Sequence, residues 1–174
     1  PEFAGLRGKM YEESIRFFTD LFQNDRSILS LLNADHTFVD PDLAKLYALP
    51  TLGEGWQRIE DIQKVGRGGI LGFATTLAKQ SGASRTSPIL RGNWVSETLL
   101  GERLPKPPKD VPPLSDELPK GLSERELIMQ HSSDPACAKC HHRIDPYGFA
   151  LEAFDAIGRF RAGADTRAQL PDGT

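Results

Sequence analysis

The spacing of apolar side chains predicts a chain built mostly from α-helices. In the first 49 residues, apolar positions recur three or four residues apart, beginning with Tyr11, Ile15, Phe18 and Phe22. Side chains at this spacing lie on one face of a helix, so we expect that face to be buried. No segment alternates regularly between apolar and polar residues, and we therefore predict no β-strand.

Two short helices are predicted to follow before residue 50. Asp25 can cap the first of them, which carries the apolar residues Ile28, Leu29, Leu31 and Leu32. Asp40-Pro41 combines an N-cap residue with proline at the first helical position, and it precedes Leu43, Leu46, Tyr47 and Leu49. We predict that these helices form an N-terminal helical module within residues 1–84.

Helix-start signals also divide the second half of the chain. Ser87-Pro88 begins a helix, ended by Gly101, whose apolar side carries Leu90, Trp94, Val95 and Leu99. Residues 104–119 contain six prolines and are interpreted as an extended linker between helices. Ser123-Glu124-Arg125-Glu126 is a capping box, which starts a helix that leads to His131.

The last predicted elements are a turn and a helix. Asp145-Pro146-Tyr147-Gly148 has the composition of a turn. The residues after it predict a final helix whose apolar side chains are Phe149, Leu151, Phe154, Ile157 and Phe160.

The segment Cys137-Ala138-Lys139-Cys140-His141 has the C-x-x-C-H spacing of a covalent attachment site for haem c. Two thiols three residues apart can add to the two vinyl groups along one edge of a porphyrin. The histidine that follows can then offer its imidazole to the iron as the proximal ligand. These are the only two cysteines in the chain, so it can carry one haem c at most.

Three other interpretations of this segment remain open. A redox-active dithiol normally sits in a βαβ pattern, which is not predicted here. Zinc could be bound by a set drawn from Cys137, Cys140, His141, His142 and His131, although structural zinc usually takes a second ligand pair from a separate segment. A chance match on a surface helix is the third interpretation.

The ligand on the other side of the iron is not decided by the sequence. No Met or His follows His142, so a downstream methionine ligand is excluded. The candidates are His131, Met129, Met10 and His36, or an open position; His131 comes from the helix that precedes the haem segment. Three arginines close in sequence to that segment are candidates for binding a haem propionate, namely Arg143, Arg159 and Arg161.

Charge and hydropathy limit the partners. The net charge of −3 and the sequence pI near 5.8 give no basic footprint, so we expect no nucleic acid partner. No apolar run approaches the ~18 residues of a membrane span.

The first residues do not form a signal peptide. Haem c is attached on the outer side of the energised membrane, so we expect a removed leader and a periplasmic or otherwise extracytoplasmic protein. The chain stops within a turn-like sequence, so we also expect a longer parent protein.

Residues 85–161 resemble the planctomycete-type cytochrome c-like proteins, a family of unknown function. The features that match in order are R-T-S-P-I-L-R-G-N-W-V from Arg85, residues 97–101, the proline-rich linker, His131, the C-x-x-C-H segment, D-P-Y-G-F-A-L-E from Asp145 and F-D-A-I-G-R-F-R from Phe154. Residues 17–47 are similar to the helical module that precedes the haem module in these proteins. The resemblance implies a haem-binding module at 85–174, cut short at its C-terminal end, in a large secreted multidomain protein.

These patterns together predict a c-type cytochrome module that carries one haem and transfers one electron. Its partner would be a redox protein or a neighbouring domain of a longer chain. A haem peroxidase or oxidase with an open distal site is the first alternative, because an open iron can bind peroxide or oxygen. The second alternative is a structural module stapled by zinc or haem.

Overall fold

The computed structural model of the chain describes residues 2–50, 53–82, 85–105 and 119–173. It is 55% helical, and the described residues contain a single two-stranded sheet, which confirms the mostly α prediction. The predicted proline-rich linker lies outside the described residues except at its ends, residues 104, 105 and 119.

The chain divides into two compact units. Unit 1 contains residues 1–86 and 153–163, and unit 2 contains residues 87–152 and 164–174. The sequence-based division at 84/85 keeps 153–163 in the second module, whereas the contacts of the structure group this segment with unit 1.

Unit 1 surrounds its first helix with short elements. They are α1 (Glu2–Gln23), α2 (Ser30–Asn33), β1 (His36–Val39), α3 (Pro41–Leu46), β2 (Gln57–Glu60) and α4 (Ala74–Lys79), with 3-10 turns at Ile62–Val65 and Ile70–Gly72. The two strands pair antiparallel, with His36 opposite Glu60 and Val39 opposite Gln57. The central apolar cluster consists of Leu6, Met10, Val39, Leu43, Ala44, Leu46, Tyr47 and Ala74.

The buried face of α1 is not the predicted one. Tyr11 and Phe22 are 62% and 73% exposed, and the stripe that is buried instead comprises Leu6, Met10, Phe17 and Leu21. Positions 10, 17 and 21 each precede a predicted position by one residue, which is a rotation of about 100° around the helix. Glu13 is also buried on this face of α1. Because a charged residue interrupts the apolar positions, a purely hydrophobic pattern does not reveal that this face is buried.

The prediction of helix throughout the first 49 residues is also wrong. His36–Val39 is a strand whose side chains are buried or half-buried on both faces, so it shows no alternating pattern. Asp25 does not cap α2; its φ of 47° is a left-handed conformation that ends α1. The start of α3 is confirmed, because Asp40 accepts a hydrogen bond from the Leu43 N–H at 2.9 Å.

All the regular secondary structure in the described residues of unit 2 is helical. It contains α5 (Pro88–Trp94), a π-helical turn (Val95–Leu99), α6 (Glu124–Ser132) and α7 (Pro135–Ala150). The predicted caps at Ser87 and Ser123 are both formed, and the capping box at Ser123 is complete. Leu90 was predicted to be buried and is 45% exposed; the largest buried apolar side chains of this unit are Val95, Ile128, Ile144 and Phe149.

The turn predicted at Asp145-Pro146-Tyr147-Gly148 is wrong, because α7 continues through it to Ala150. Proline inside a helix removes a backbone hydrogen bond and costs about 3 kcal/mol. Here Gly148, two residues later, packs its backbone against the Pro88 carbonyl of α5. This long-range packing offsets the cost, and the local sequence does not reveal it.

The predicted last helix is wrong beyond Ala150. A 3-10 turn at Leu151–Ala153 is followed by a tight turn in which Phe154 and Phe160 pair as an antiparallel bridge. Asp155 holds this turn, because its Oδ1 accepts hydrogen bonds from two backbone N–H groups, those of residues 157 and 159. The apolar residues of 149–160 are spaced as in a helix, but the turn held by Asp155 prevents a continuous helix from forming.

Candidate functional site

The C-x-x-C-H segment lies in the first turns of α7. Asp134 caps this helix by accepting a hydrogen bond from the Ala136 N–H at 2.7 Å. The two cysteines are free thiols and half-buried. Successive helical residues are about 100° apart, so Cys137, Cys140 and His141 fall within an arc of about 100° on α7. The structure therefore places all three side chains on one side of the helix.

The imidazole of His141 is fixed by a carboxylate one helical turn later. His141 Nδ1 lies 2.8 Å from Asp145 Oδ1, and the two residues are only 8% and 7% exposed. A carboxylate oxygen accepts hydrogen bonds, so this contact favours the tautomer with the proton on Nδ1. Nε2 is then the ring nitrogen with a free lone pair, which is what a metal ligand requires.

Two glycines allow α5 to pack closely against this part of α7. A Cβ atom on Gly92 would lie 1.9 Å from the carbonyl oxygen of Ile144, and one on Gly148 would lie 2.0 Å from that of Pro88. Such distances are impossible for any residue with a side chain. The glycines therefore let the helix backbones touch on both sides of Asp145, and this packing fixes the position of the turn.

The other end of α7 is held by a buried arginine. Arg91 is 1% exposed, and its Nη1 donates a hydrogen bond to the Leu151 carbonyl at 2.8 Å. The same nitrogen lies 3.4 Å from Glu152 Oε1. A charge buried with both a carbonyl and a carboxylate as partners is expensive to disturb, so this contact anchors the C-terminal end of the helix.

A cleft of about 310 Å³ opens beside His141. Its walls come from α6, α7 and residues 168 and 169, and they include Arg125, Met129 and His142. Arg125 stacks over the Phe149 ring at 4.2 Å and donates to the backbone carbonyls of residues 165 and 167. The cleft thus combines a cation, an aromatic ring and an imidazole, whereas the two cysteines lie on the neighbouring strip of α7.

The predicted distal candidates are divided between the two units. His131 lies beside His141, with ring centroids 5.0 Å apart in an edge-to-face contact, and Met129 lines the cleft at 54% exposure. Met10 is part of the apolar core of unit 1. His36 is also in unit 1, where its Nε2 lies 3.2 Å from Asp20. Of the four side chains, unit 2 brings together only His131 and Met129 with His141.

The predicted propionate-binding arginines are likewise divided. Arg143 belongs to unit 2, where its Nε lies 3.1 Å from Glu102. Arg159 and Arg161 belong to unit 1, and Arg159 forms an ion pair with Asp155 at 3.8 Å. The arginine that unit 2 places in the cleft with His141 is Arg125, which no sequence pattern indicates.

The zinc interpretation finds no ligand set in the described part of the chain. Among those residues, no three His, Cys, Asp or Glu side chains come together in a way that could hold a metal ion. Structural zinc sites use four ligands. The five side chains considered for zinc are therefore near one another in sequence without forming a zinc site.

A second buried polar cluster lies in unit 1. Glu13 is fully buried and accepts hydrogen bonds from the hydroxyls of Thr37, at 2.5 Å, and Tyr47, at 2.6 Å. The guanidinium of Arg67 stacks on the Tyr47 ring at 3.6 Å and donates to two backbone carbonyls. Burial raises the pKa of Glu13 to about 7, although the two hydroxyls and Arg67 act in the opposite direction.

Two family profiles match the chain. Residues 67–164, more than half of the sequence, match PSCyt3, described as a protein of unknown function (DUF1588). The chain belongs to the PSCyt3 family. Residues 1–49 match PSD4, also described as a protein of unknown function (DUF1592). PSCyt3 and PSD4 are planctomycete cytochrome-like domain families, so the resemblance seen in the sequence is confirmed at the level of the family.

The comparisons go no further than the family. No curated protein and no solved structure matches the chain significantly. Neither family description names a cofactor or an activity. Among the described residues, no helix of the PSCyt3 chain combines the length and the apolar character needed to cross a membrane.

Sequence reasoning missed two residues of the site. Asp145 could have been found, because His and Asp four residues apart face each other on any helix that contains both. It was overlooked because Asp145-Pro146 was interpreted as a turn. Arg125 gave no such signal, since its place in the cleft depends on the packing of α6 against α7 and on residues 165–167.

Proposed function

We propose that this PSCyt3 chain carries one haem c, bound covalently through Cys137 and Cys140, and that it transfers one electron at a time. The observation that carries this proposal is the arrangement of the C-x-x-C-H segment on α7. Two free, half-buried thiols lie on the same side of the helix as a histidine whose Nδ1 is already hydrogen-bonded. The remaining nitrogen, Nε2, carries the lone pair that iron would bind.

Cys137, Cys140 and His141 suit a covalently bound haem. Thiols at this spacing suit attachment to a porphyrin edge, and neutral imidazole is a common iron ligand. The half-buried surface around the thiols and the adjacent cleft provide both apolar and polar contacts. When bound, haem supplies an iron that changes its oxidation state by one electron. His131 is the other histidine of unit 2 near His141, with ring centroids 5.0 Å apart, and it would have to move away from His141 for both rings to hold the iron.

A single haem handles one electron, so a multi-electron oxidation would require a partner. We propose a redox protein or a neighbouring domain of a longer chain as that partner. The small net charge of −3 favours docking through a mixed surface. Because haem c is attached outside the cytoplasm, we also propose a periplasmic or otherwise extracytoplasmic location.

Redox titration of the holoprotein tests this function. We expect one reversible one-electron transition, and rapid reduction or oxidation by small electron carriers. Stopped-flow mixing with hydrogen peroxide then separates the electron carrier from the peroxidase or oxidase alternative. Formation of a ferryl intermediate with turnover of a reducing substrate would support the enzyme and contradict the carrier.

A further inference from the structure

The partner of His141 Nδ1 is a carboxylate, although a neutral backbone carbonyl would also fix the ring. Asp145 and His141 are both buried and lie one helical turn apart, with Asp145 Oδ1 2.8 Å from His141 Nδ1. A hydrogen bond accepted by a carboxylate is stronger than one accepted by a neutral carbonyl, and burial leaves little water to weaken it. The identity of this partner therefore affects the electron density on the imidazole as well as its orientation.

The turn that carries Asp145 has little freedom to move. Its neighbours Ile144 and Pro146 are buried, and α5 touches the backbone of α7 at Gly92 and Gly148. Ser96, just after α5, donates a hydrogen bond to the Arg143 carbonyl at 3.2 Å. Because these contacts hold the helix on both sides of Asp145, its carboxylate is preorganised at Nδ1 before any ligand binds.

We infer that Asp145 is a positioning residue that makes Nε2 of His141 the iron ligand and lowers the reduction potential of the haem. A hydrogen bond from Nδ1 to a carboxylate makes the imidazole a stronger electron donor. Stronger donation stabilises ferric iron more than ferrous iron, and the reduction potential falls. This inference rests on the proposed haem function and specifies how the protein tunes it.

The test compares two carboxylate-to-amide substitutions in holoprotein matured by a host that attaches haem c. Asp145→Asn keeps an acceptor oxygen for Nδ1 but removes the charge. Glu97→Gln makes the same chemical change on an exposed carboxylate of unit 2 that accepts a hydrogen bond from Asn93. We expect full haem attachment in both variants and a higher reduction potential in Asp145→Asn only.

Two results would overturn the inference while leaving the proposed function intact. One is a haem-loaded Asp145→Asn protein with the reduction potential of the wild type. The other is an equal rise in potential in Glu97→Gln, which would show a general charge effect. Failure of the wild-type protein to take up haem would instead contradict the proposed function.

A measurement on the wild-type apoprotein covers the case in which Asp145→Asn does not mature. Nitrogen-15 NMR distinguishes the two neutral tautomers of a histidine ring. We expect His141 to carry its proton on Nδ1, in the hydrogen bond to Asp145. A proton on Nε2 would contradict the inference whatever the variants do.

Discussion

At the scale of single residues, the most unusual group is the carboxyl of Glu13. It is fully buried in unit 1 and is hydrogen-bonded by the hydroxyls of Thr37 and Tyr47. Burial disfavours the charged form and raises the pKa of Glu13 from its ordinary 4.5 to about 7. Burial raises the pKa of Tyr47 above its ordinary value, and the negative charge of Glu13 raises it further. Unit 1 therefore contains a proton that titrates near neutral pH.

This proton predicts a particular dependence of stability on pH. In the unfolded chain Glu13 loses its proton near pH 4.5, whereas in the folded chain it keeps the proton until about pH 7. The free energy of unfolding should therefore fall as pH rises from about 4.5 to about 7, and then level off. The contribution of this group is about 3 kcal/mol.

Urea unfolding of the wild type and of Glu13→Gln across this pH range measures the effect. The glutamine variant retains a hydrogen-bonding side chain of the same shape and cannot ionise. We expect the fall in stability to be absent from the variant. Equal pH profiles in the two proteins would show that Glu13 ionises normally in the folded state.

At the scale of elements, the contact of α5 with α7 depends on glycine. A Cβ atom on residue 148 would lie 2.0 Å from the carbonyl oxygen of Pro88. Gly148→Ala must therefore separate the two helices, and we expect a loss of about 3 kcal/mol or more in the stability of unit 2. Chemical denaturation followed by circular dichroism measures this loss.

The matched control is Gly8→Ala in α1. Gly8 is exposed within a helix, and nothing lies within 4 Å of the position of its added Cβ. Alanine there should stabilise the chain by about 0.5–1 kcal/mol, because it favours helix more than glycine does. If both substitutions had the same small effect, the close packing of α5 on α7 would be wrong.

The start of α6 supports a smaller prediction. Ser123 accepts a hydrogen bond from the Glu126 N–H, and Glu126 accepts one from the Ser123 N–H. Ser123→Ala should cost about 1 kcal/mol in thermal or urea unfolding. Ser133→Ala removes a hydroxyl from the other end of the same helix and should change stability by less than about 0.5 kcal/mol. Equal effects at the two ends would argue against the capping box.

Element starts were predictable because their signals are local. Asp40, Ser87 and Ser123 each form the cap that the sequence predicts, within three residues of the capping side chain. Asp25 is the exception, because it does not cap α2. Two larger errors concern contacts between distant segments. Which face of α1 is buried depends on Glu13 meeting Thr37 and Tyr47, and α7 continues through Pro146 because α5 packs against it.

At the scale of the whole molecule, the residues proposed to attach haem all belong to unit 2. Covalent haem would tie α7 to a rigid planar group. We expect slower hydrogen–deuterium exchange in residues 135–150 of the haem-loaded protein than in a Cys137→Ser/Cys140→Ser protein produced in the same host. Slower exchange confined to α1–α4 would contradict the assignment of the site to unit 2.

The candidate site was only partly predictable. The C-x-x-C-H spacing predicts Cys137, Cys140 and His141 as the haem site without any structure, because haem c attachment requires those residue types in that order. The supporting groups were not predictable in the same way. Arg125 reaches the cleft through contacts of α6 with a segment forty residues later, whereas Arg159, close to the motif in sequence, belongs to unit 1.

The central claim is that haem is bound covalently to Cys137 and Cys140. Its most direct test is the intact mass of the denatured protein after expression in a host that attaches haem c, for the wild type and for Cys137→Ser/Cys140→Ser. The account predicts that the wild type gains the mass of one haem and that the double variant gains none. A wild-type protein that folds in that host and retains the mass of the bare polypeptide would contradict it.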